Sequence, residues 1–404
     1  MSNNATKMPA PARQLPIRRR IAILGFLTFA AFVISNIVIA AVYAIQHMTS
    51  PFQNAVEVDY RVVLEKYYPG WRRADINRLI AETYEPMQYS AFVEFQETPR
   101  QGTFVNVHKA GFRVSADQAT WPPTSNRPII FVFGGSTTFG YGVRDDDTIV
   151  SALSRRLRQE SRFKDAQIYN FGRGFYWSSQ ERALFEGLRA GGLRPDLAIF
   201  IDGLNEFAHP IDALQFSSTL TSAFQRELAR TSSAYSKFVA GALNIRDLLM
   251  DLPMVQLARD IRHNVLVPSN VQVIDPETIP QTEERLAVYL RNKALIEASA
   301  SGDHIATLFV WQPVPTFRYP GALHRDFVAL RGFTVHSQSH YGYARMEKRQ
   351  EQERDPRFLW CADIQKKANA PLYVDLVHYN RTGTEQLASC IVSGLHNQVE
   401  KPAQ

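Results

Sequence analysis

Ile129-Ile130-Phe131-Val132-Phe133-Gly134-Gly135-Ser136-Thr137-Thr138-Phe139-Gly140 is the stretch of this 404-residue chain on which the fold turns. Ile129 to Phe133 is a short apolar run, punctuated upstream by Pro122, Pro123 and Pro128. Its length and its β-branched and aromatic content predict a buried strand. Gly-Gly-Ser then places a hydroxyl at the carboxyl end of that strand, where open parallel sheets gather their chemistry. Flanked by small residues, Ser136 has an exposed hydroxyl and a close backbone N–H suited to a developing oxyanion. Rival loop types fail on spacing. There is no Gly-Lys-Ser/Thr ending, Gly134, Gly140 and Gly142 do not give the dinucleotide spacing, and Thr138 holds the second glycine's place in a Gly-x-Ser-x-Gly elbow. Alone, a Gly-Gly-Ser turn is more often structural than nucleophilic.

Outward from this strand the pattern alternates. The sequence predicts a helix over Thr148 to Gln159, a strand over Gln167 to Asn170, a helix over Ser179 to Ala190 and a strand over Leu197 to Ile201. After a long interval follow a helix near Glu283 to Ser299, a strand at Ile305 to Trp311, a helix near Leu359 to Ala368, a strand at Leu372 to Val374 and a closing helix from Thr382 to Leu395. Short apolar runs separated by amphipathic helices indicate a parallel sheet covered on both faces. Upstream, Tyr60 to Glu65 and Ala74 to Thr83 have helical spacing, and Gly102 to Val114 alternates as strands do. Two insertions, 207–280 and 313–357, follow strand ends and suit lids or substrate walls; the charged run Glu347 to Arg357 within the second reads as a solvated helix.

Three further blocks lie at predicted strand ends. Asp375-Leu376-Val377-His378 supplies an imidazole to take the serine's proton and a carboxylate three residues away to orient it. Asn170-Phe171-Gly172 and Gly203-Leu204-Asn205-Glu206 offer a glycine N–H and an asparagine amide as oxyanion donors, though Gly and Asn are also ordinary turn formers. In this order and at these places the four blocks resemble those of the SGNH (GDSL-like) hydrolases, over about Ile129 to Leu395. The resemblance implies a three-layer α/β/α sandwich of flavodoxin type with a five-stranded parallel sheet. It implies Ser136 as nucleophile, His378 as general base and acid, and Asp375 as its partner. The oxyanion hole would be the Ser136 N–H, Gly172 and Asn205, with no cofactor. Gly135 stands where the family usually has Asp before the serine, and Glu206 where its third block usually ends in Asp. His209, His324, His336 and His340 fall in the insertions and read as surface or lid residues; Gln312 reads equally as pocket lining or packing.

The charge arithmetic separates the chain into a tail and a body. There are 45 basic and 39 acidic residues, a net +6. Lys7, Arg13, Arg18, Arg19 and Arg20 all precede residue 47, with no Asp or Glu among them, which leaves 40 basic against 39 acidic residues in the rest. A near-neutral body excludes a broad nucleic-acid-binding surface, and 45% hydrophobic content excludes a disordered chain. Directly after the three arginines, Ile21 to Ile45 is uncharged and long enough to cross a bilayer. Positive residues stay on the cytoplasmic side. The expected organisation is therefore a basic cytoplasmic tail (1–20), a transmembrane signal anchor (21–46), a stalk and extension (47–127) and the hydrolase domain (128–400). A cleavable signal peptide with a site near Val42-Tyr43-Ala44 is the rival; its apolar core would be shorter. Outside the cytoplasm, Cys361 and Cys390 would close a loop of about 30 residues or remain as two buried thiols.

These features lead to the expectation of an inner-membrane-anchored periplasmic serine esterase or deacetylase, acting on O-acyl groups of envelope or exported polysaccharide. An O-acyltransferase using the same triad with a glycan acceptor is one alternative. A non-catalytic scaffold tethered in a polysaccharide assembly is another. The expected partners are the membrane, an acylated carbohydrate or other ester, and envelope polysaccharide assembly proteins, but not nucleic acid.

Overall fold

The structure, a computed structural model, describes residues 16–48, 66–124, 126–208, 254, 278–324, 336 and 338–399. The chain divides into two units, Met1–Glu57 with Gln225–Val271, and Val58–Phe224 with Gln272–Gln404. The first contains helix α1, Ile17–Met48, whose 23-residue segment Ile17–Ile39 is apolar after Arg20 and long enough to cross a membrane. Ile21, Leu24, Phe26 and Phe29 on it are exposed, so it is not a core helix. Arg18 to Arg20 lie in its first turn.

The second unit opens with α2 (Arg73–Thr83), the hairpin β1 (Met87–Ser90) and β2 (Glu94–Glu97), and the short pair β3 (Arg100–Gln101) and β4 (Asn106–Val107). It continues through β5 (Ile129–Gly134), α3 (Ser136–Phe139), α4 (Ile149–Leu157), β6 (Gln167–Asn170), α5 (Ser178–Ala190) and β7 (Leu197–Asp202). After α6 (Thr278–Ser301) come β8 (Ala306–Trp311), α7 (Ser339–Gln352), β9 (Phe358–Trp360) and α8 (Arg381–Val399). Strands β5 to β9 form one sheet in the order β6-β5-β7-β8-β9, every neighbour parallel. Counted along the chain this is 2-1-3-4-5, the flavodoxin-like order, and its direction of winding reverses beside β5.

Period-2 alternation sorts the sheet's side chains into two cores. Ile130, Val132, Ile199, Ile201, Leu308 and Val310 face α4 and α8. Phe131, Phe133, Ala198, Phe200 and Phe309 face α5 and α6. On that second face Phe171, Phe133, Phe200 and Phe309 stack in succession across the strands, with centroids 5.7, 4.9 and 5.2 Å apart. Cross-strand aromatic pairs of this kind add to the area they bury. The described part of the extension packs on the same unit: Tyr67, Tyr68, Leu79, Val105 and Val107 form one cluster with Phe139, Tyr141 and Val374.

Two predicted elements near the end of the sheet are corrected. Leu359 to Ala368 is not a helix. Phe358–Trp360 is the edge strand β9, paired with Phe309 to Trp311, followed by a short 3-10 turn at Ala362–Gln365. Pro356 disfavours helical backbone before it, the aromatic residues favour strand, and the open edge of β8 takes the pairing. Leu372 to Val374 is correspondingly not a sheet strand; only Tyr373 makes an isolated bridge, to Tyr379. The charged run is carried largely by α7, which ends at Gln352. Tyr60 to Glu65 and most of the 207–280 insertion lie outside the described residues.

Candidate active site

β5 delivers Ser136 to the sheet's carboxyl edge at the point where the winding reverses, and β7 delivers Asn205 beside it. Ser136 begins α3, so its N–H has no acceptor within that helix. The turn is clamped from the extension. Arg113, fully buried, meets Asp145 at 2.7 Å and donates to the carbonyls of Gly140 (3.0 Å) and Val143 (2.8 Å). Its guanidinium also lies 4.8 Å from the Phe139 ring centroid. A buried cation held by several acceptors is costly to leave unpaired, so this clamp fixes the loop after the nucleophile.

His378 Nε2 lies 2.8 Å from Ser136 Oγ, and its Nδ1 lies 2.6 Å from Asp375 Oδ2. Asp375 Oδ1 accepts from the N–H groups of Val377 (2.9 Å) and His378 (2.8 Å), closing an Asx-type turn in place of a strand end. Burial pushes the Asp375 carboxyl up, but the His378 ring and these two N–H groups outweigh it and hold the group below its ordinary range. Both Ser136 and His378 are less than a tenth exposed. A carboxylate, an imidazole and a hydroxyl so arranged can move a proton from Oγ to Nε2 while the imidazolium is stabilised.

The three oxyanion candidates part company. Asn205 Nδ2 donates to the Tyr176 carbonyl at 2.7 Å, which leaves a second N–H on the same nitrogen. It packs so close to Gly135 that a Cβ there would collide with it. A side chain larger than glycine's has no room at position 135. Gly172 is a correction: its N–H donates to Asn170 Oδ1 at 3.0 Å, and Asn170 Nδ2 donates to the Thr138 carbonyl at 2.9 Å. The Asn-Phe-Gly block therefore supports the underside of the nucleophile turn, with the Gly172 donor already engaged.

Glu206 accepts from Ser178 at both N–H and Oγ, each at 2.8 Å, and so ties Asn205's neighbour to the start of α5. Burial pushes its carboxyl up to about 7, and burial together with mutual repulsion pushes Glu181 and Asp202 beside it well above the ordinary range. Gln312 is neither pocket lining nor simple packing. Its Oε1 accepts from Thr137 Oγ1 at 2.8 Å and from Tyr379 OH at 3.1 Å, bridging the residues that follow the serine and the histidine. His324 is corrected from surface to interior: it is buried, and its Nε2 donates to the Leu376 carbonyl at 3.0 Å, inside the Asp375–His378 turn. Burial lowers its pKa to about 4, so it is neutral there at physiological pH. His340 is exposed, with Nδ1 donating to the Thr316 carbonyl at 2.9 Å; His209 lies outside the described residues. Arg113, Gln312 and His324 belong to no motif, because each acts on a partner distant in sequence.

No protein-family model and no curated protein matches the chain. Among solved structures it is similar to an acetyl xylan esterase, at 12% identity over 66% of this chain and 99% of that one, TM-score 0.35. It is similar to a member of the lipolytic protein G-D-S-L family from Veillonella parvula DSM 2008, at 9% identity over 66% and 96%, TM-score 0.34. A carbohydrate acetylesterase family member from Sinorhizobium meliloti is similar at 13% identity over 68% and 100%, TM-score 0.33. The chain has a five-stranded parallel α/β fold of flavodoxin-like strand order. The serine, asparagine and Asp–His blocks follow the first, third and last sheet strands. Cys361 follows the last strand and Cys390 lies on α8, and the two are disulfide-bonded with Cα atoms 6.1 Å apart.

Proposed function

We propose that the chain is a serine esterase of the SGNH type, anchored by α1 in the inner membrane with its catalytic unit in the periplasm. Its substrates are O-acyl groups on envelope or exported polysaccharide. The observation that carries the chemistry is the unbroken relay from Ser136 Oγ to His378 Nε2 and from His378 Nδ1 to Asp375, at 2.8 and 2.6 Å. Ser136 Oγ attacks the ester carbonyl carbon as its proton passes to His378 Nε2. The Ser136 N–H and the second Asn205 N–H receive the oxyanion. Collapse expels the sugar alcohol, which takes the proton back from His378, and leaves Ser136 acylated. Water, deprotonated by the same imidazole, releases the carboxylic acid and restores the serine. The location is supported by the basic residues at and ahead of the start of α1 and by a disulfide, which belongs in an oxidising compartment. The polysaccharide substrate follows from that location and from the family the four blocks resemble.

A fluorophosphonate probe tests the chemistry. Folded wild type should be labelled and Ser136→Ala should not. His378→Ala should lose roughly three or more orders of magnitude in ester turnover, because the relay works as a unit. Near-wild-type turnover in His378→Ala sinks the assignment. Acyl transfer to an added glycan in preference to water would change the acceptor and keep the site.

A further inference from the structure

The site contains an aromatic ring that the relay does not use. Tyr141, 4% exposed, stacks on the His378 imidazole with centroids 5.2 Å apart and planes 29° from parallel. It is fixed on every side. Its N–H donates to the Ser136 carbonyl at 3.0 Å, and Tyr84 and Phe139 pack edge-on against its ring at 5.1 and 5.4 Å. Its hydroxyl donates to Glu97 Oε1 at 3.5 Å. Glu97 comes from β2 of the extension, is 2% exposed, and through the same oxygen accepts the Gly174 N–H at 2.6 Å. A Cβ on Gly174 would collide with the Tyr141 hydroxyl, so the loop after β6 is shaped to let this contact form.

We propose that Tyr141 is a positioning residue for His378, and that Glu97 makes the N-terminal extension part of the reaction centre by holding Tyr141 in place. The proposal rests on the serine-esterase reading. As Ser136 loses its proton, the imidazole becomes a cation inside a dry site. The face of an aromatic ring attracts that charge more than it attracts the neutral ring, so the contact favours the transition state over the ground state. The stack also stops the imidazole tilting out of line with Ser136 and Asp375, an alignment on which proton transfer depends. Burial, with Glu97 next to it, pushes the Tyr141 phenol well above its ordinary value, so it remains a neutral donor. Burying the Glu97 carboxyl is unfavourable by itself, and its acceptance of the Gly174 N–H and the Tyr141 hydroxyl offsets part of that cost alongside the nearby charges of Arg173 and Arg100.

The test uses the full-length protein in detergent micelles, p-nitrophenyl acetate as substrate and fluorophosphonate titration to count folded sites. Per labelled site, Tyr141→Leu should lower kcat by about tenfold with KM within about twofold, whereas Tyr141→Phe, which keeps the ring face and loses only the Glu97 contact, should recover part of that loss and match Glu97→Leu. Glu97→Leu should also lower kcat, and the double variant Glu97→Leu/Tyr141→Leu should lose little more than Tyr141→Leu alone, because both act through one contact. A Tyr141→Leu kcat within about twofold of wild type, a loss confined to KM, or a Tyr141→Phe variant as slow as Tyr141→Leu, overturns the proposal. Absence of fluorophosphonate labelling in wild type overturns the serine-esterase reading itself, and this inference with it.

Discussion

At the scale of single residues, the group with the most measurable consequence outside the relay is Glu206. Its carboxyl is pushed up to about 7 by burial from an ordinary 4.5, with the Ser178 hydrogen bonds opposing the shift. Its folded pKa lies above the unfolded one, so between those values the folded chain holds a proton that the unfolded chain has released. That contribution to stability is fully present below about 4.5 and is lost as pH rises through about 7. Glu206→Gln keeps an acceptor for the Ser178 N–H and removes the titration. Relative to wild type its stability should therefore gain by a few kcal/mol between pH 4.5 and 7.5. Urea midpoints taken across that range measure it, and a wild-type-to-variant difference that does not change with pH contradicts the buried-carboxyl account. The same residue shows where motif matching stops. The block Gly203-Leu204-Asn205 is legible in the sequence, but nothing in the spacing of Glu206 tells that its carboxyl anchors α5 and sits against Glu181 and Asp202. Likewise Ser136, Asp375, His378 and Asn205 each follow an apolar run that the sequence displays, whereas the engagement of the Gly172 N–H by Asn170, two residues away, leaves no trace in the spacing.

At the scale of elements, the end of the edge strand β9 and helix α8 are joined covalently. Cys361 donates its N–H to the Trp311 carbonyl at 3.0 Å, continuing the β8 edge, and its sulfur is bonded to Cys390 on α8. Closing a loop with a separation of 29 residues removes unfolded-state entropy worth roughly 3 to 4 kcal/mol. A Cys361→Ala/Cys390→Ala double variant should lose that much in urea unfolding while keeping activity on a small ester. Dithiothreitol should lower the midpoint of wild type and leave the double variant unchanged; equal midpoints in all four conditions would mean the bridge contributes nothing. The central strands were legible because Val, Ile and Phe runs buried on both faces have few other solutions, and β6 and β7 begin where the sequence places them. The edge was not. Phe358-Leu359-Trp360 is only half-buried, so its type is decided by the open edge of β8, a tertiary circumstance that no window of sequence contains.

At the scale of the whole molecule, the question is on which side of the membrane Ser136 works. Five of the surplus positive charges precede residue 47, and the rest of the chain, at 40 basic to 39 acidic residues, has no opposing signal of comparable strength. Helix α1 begins with Arg18, Arg19 and Arg20 in its first turn and continues through apolar residues that are exposed instead of packed. Carrying those arginines across a bilayer would cost several kcal/mol, whereas leaving them on the cytoplasmic face costs nothing. The orientation this favours is N-terminus inside and the second unit outside. An alkaline-phosphatase fusion after residue 60, active only outside the cytoplasm, should therefore be active. Exchanging Arg18, Arg19 and Arg20 for Glu should reduce that activity by removing the retention signal while leaving the span apolar. An inactive fusion on the wild-type sequence would place Ser136 in the cytoplasm. The esterase chemistry would then survive, but the exported substrate and the compartment that keeps Cys361 and Cys390 oxidised would both have to be given up.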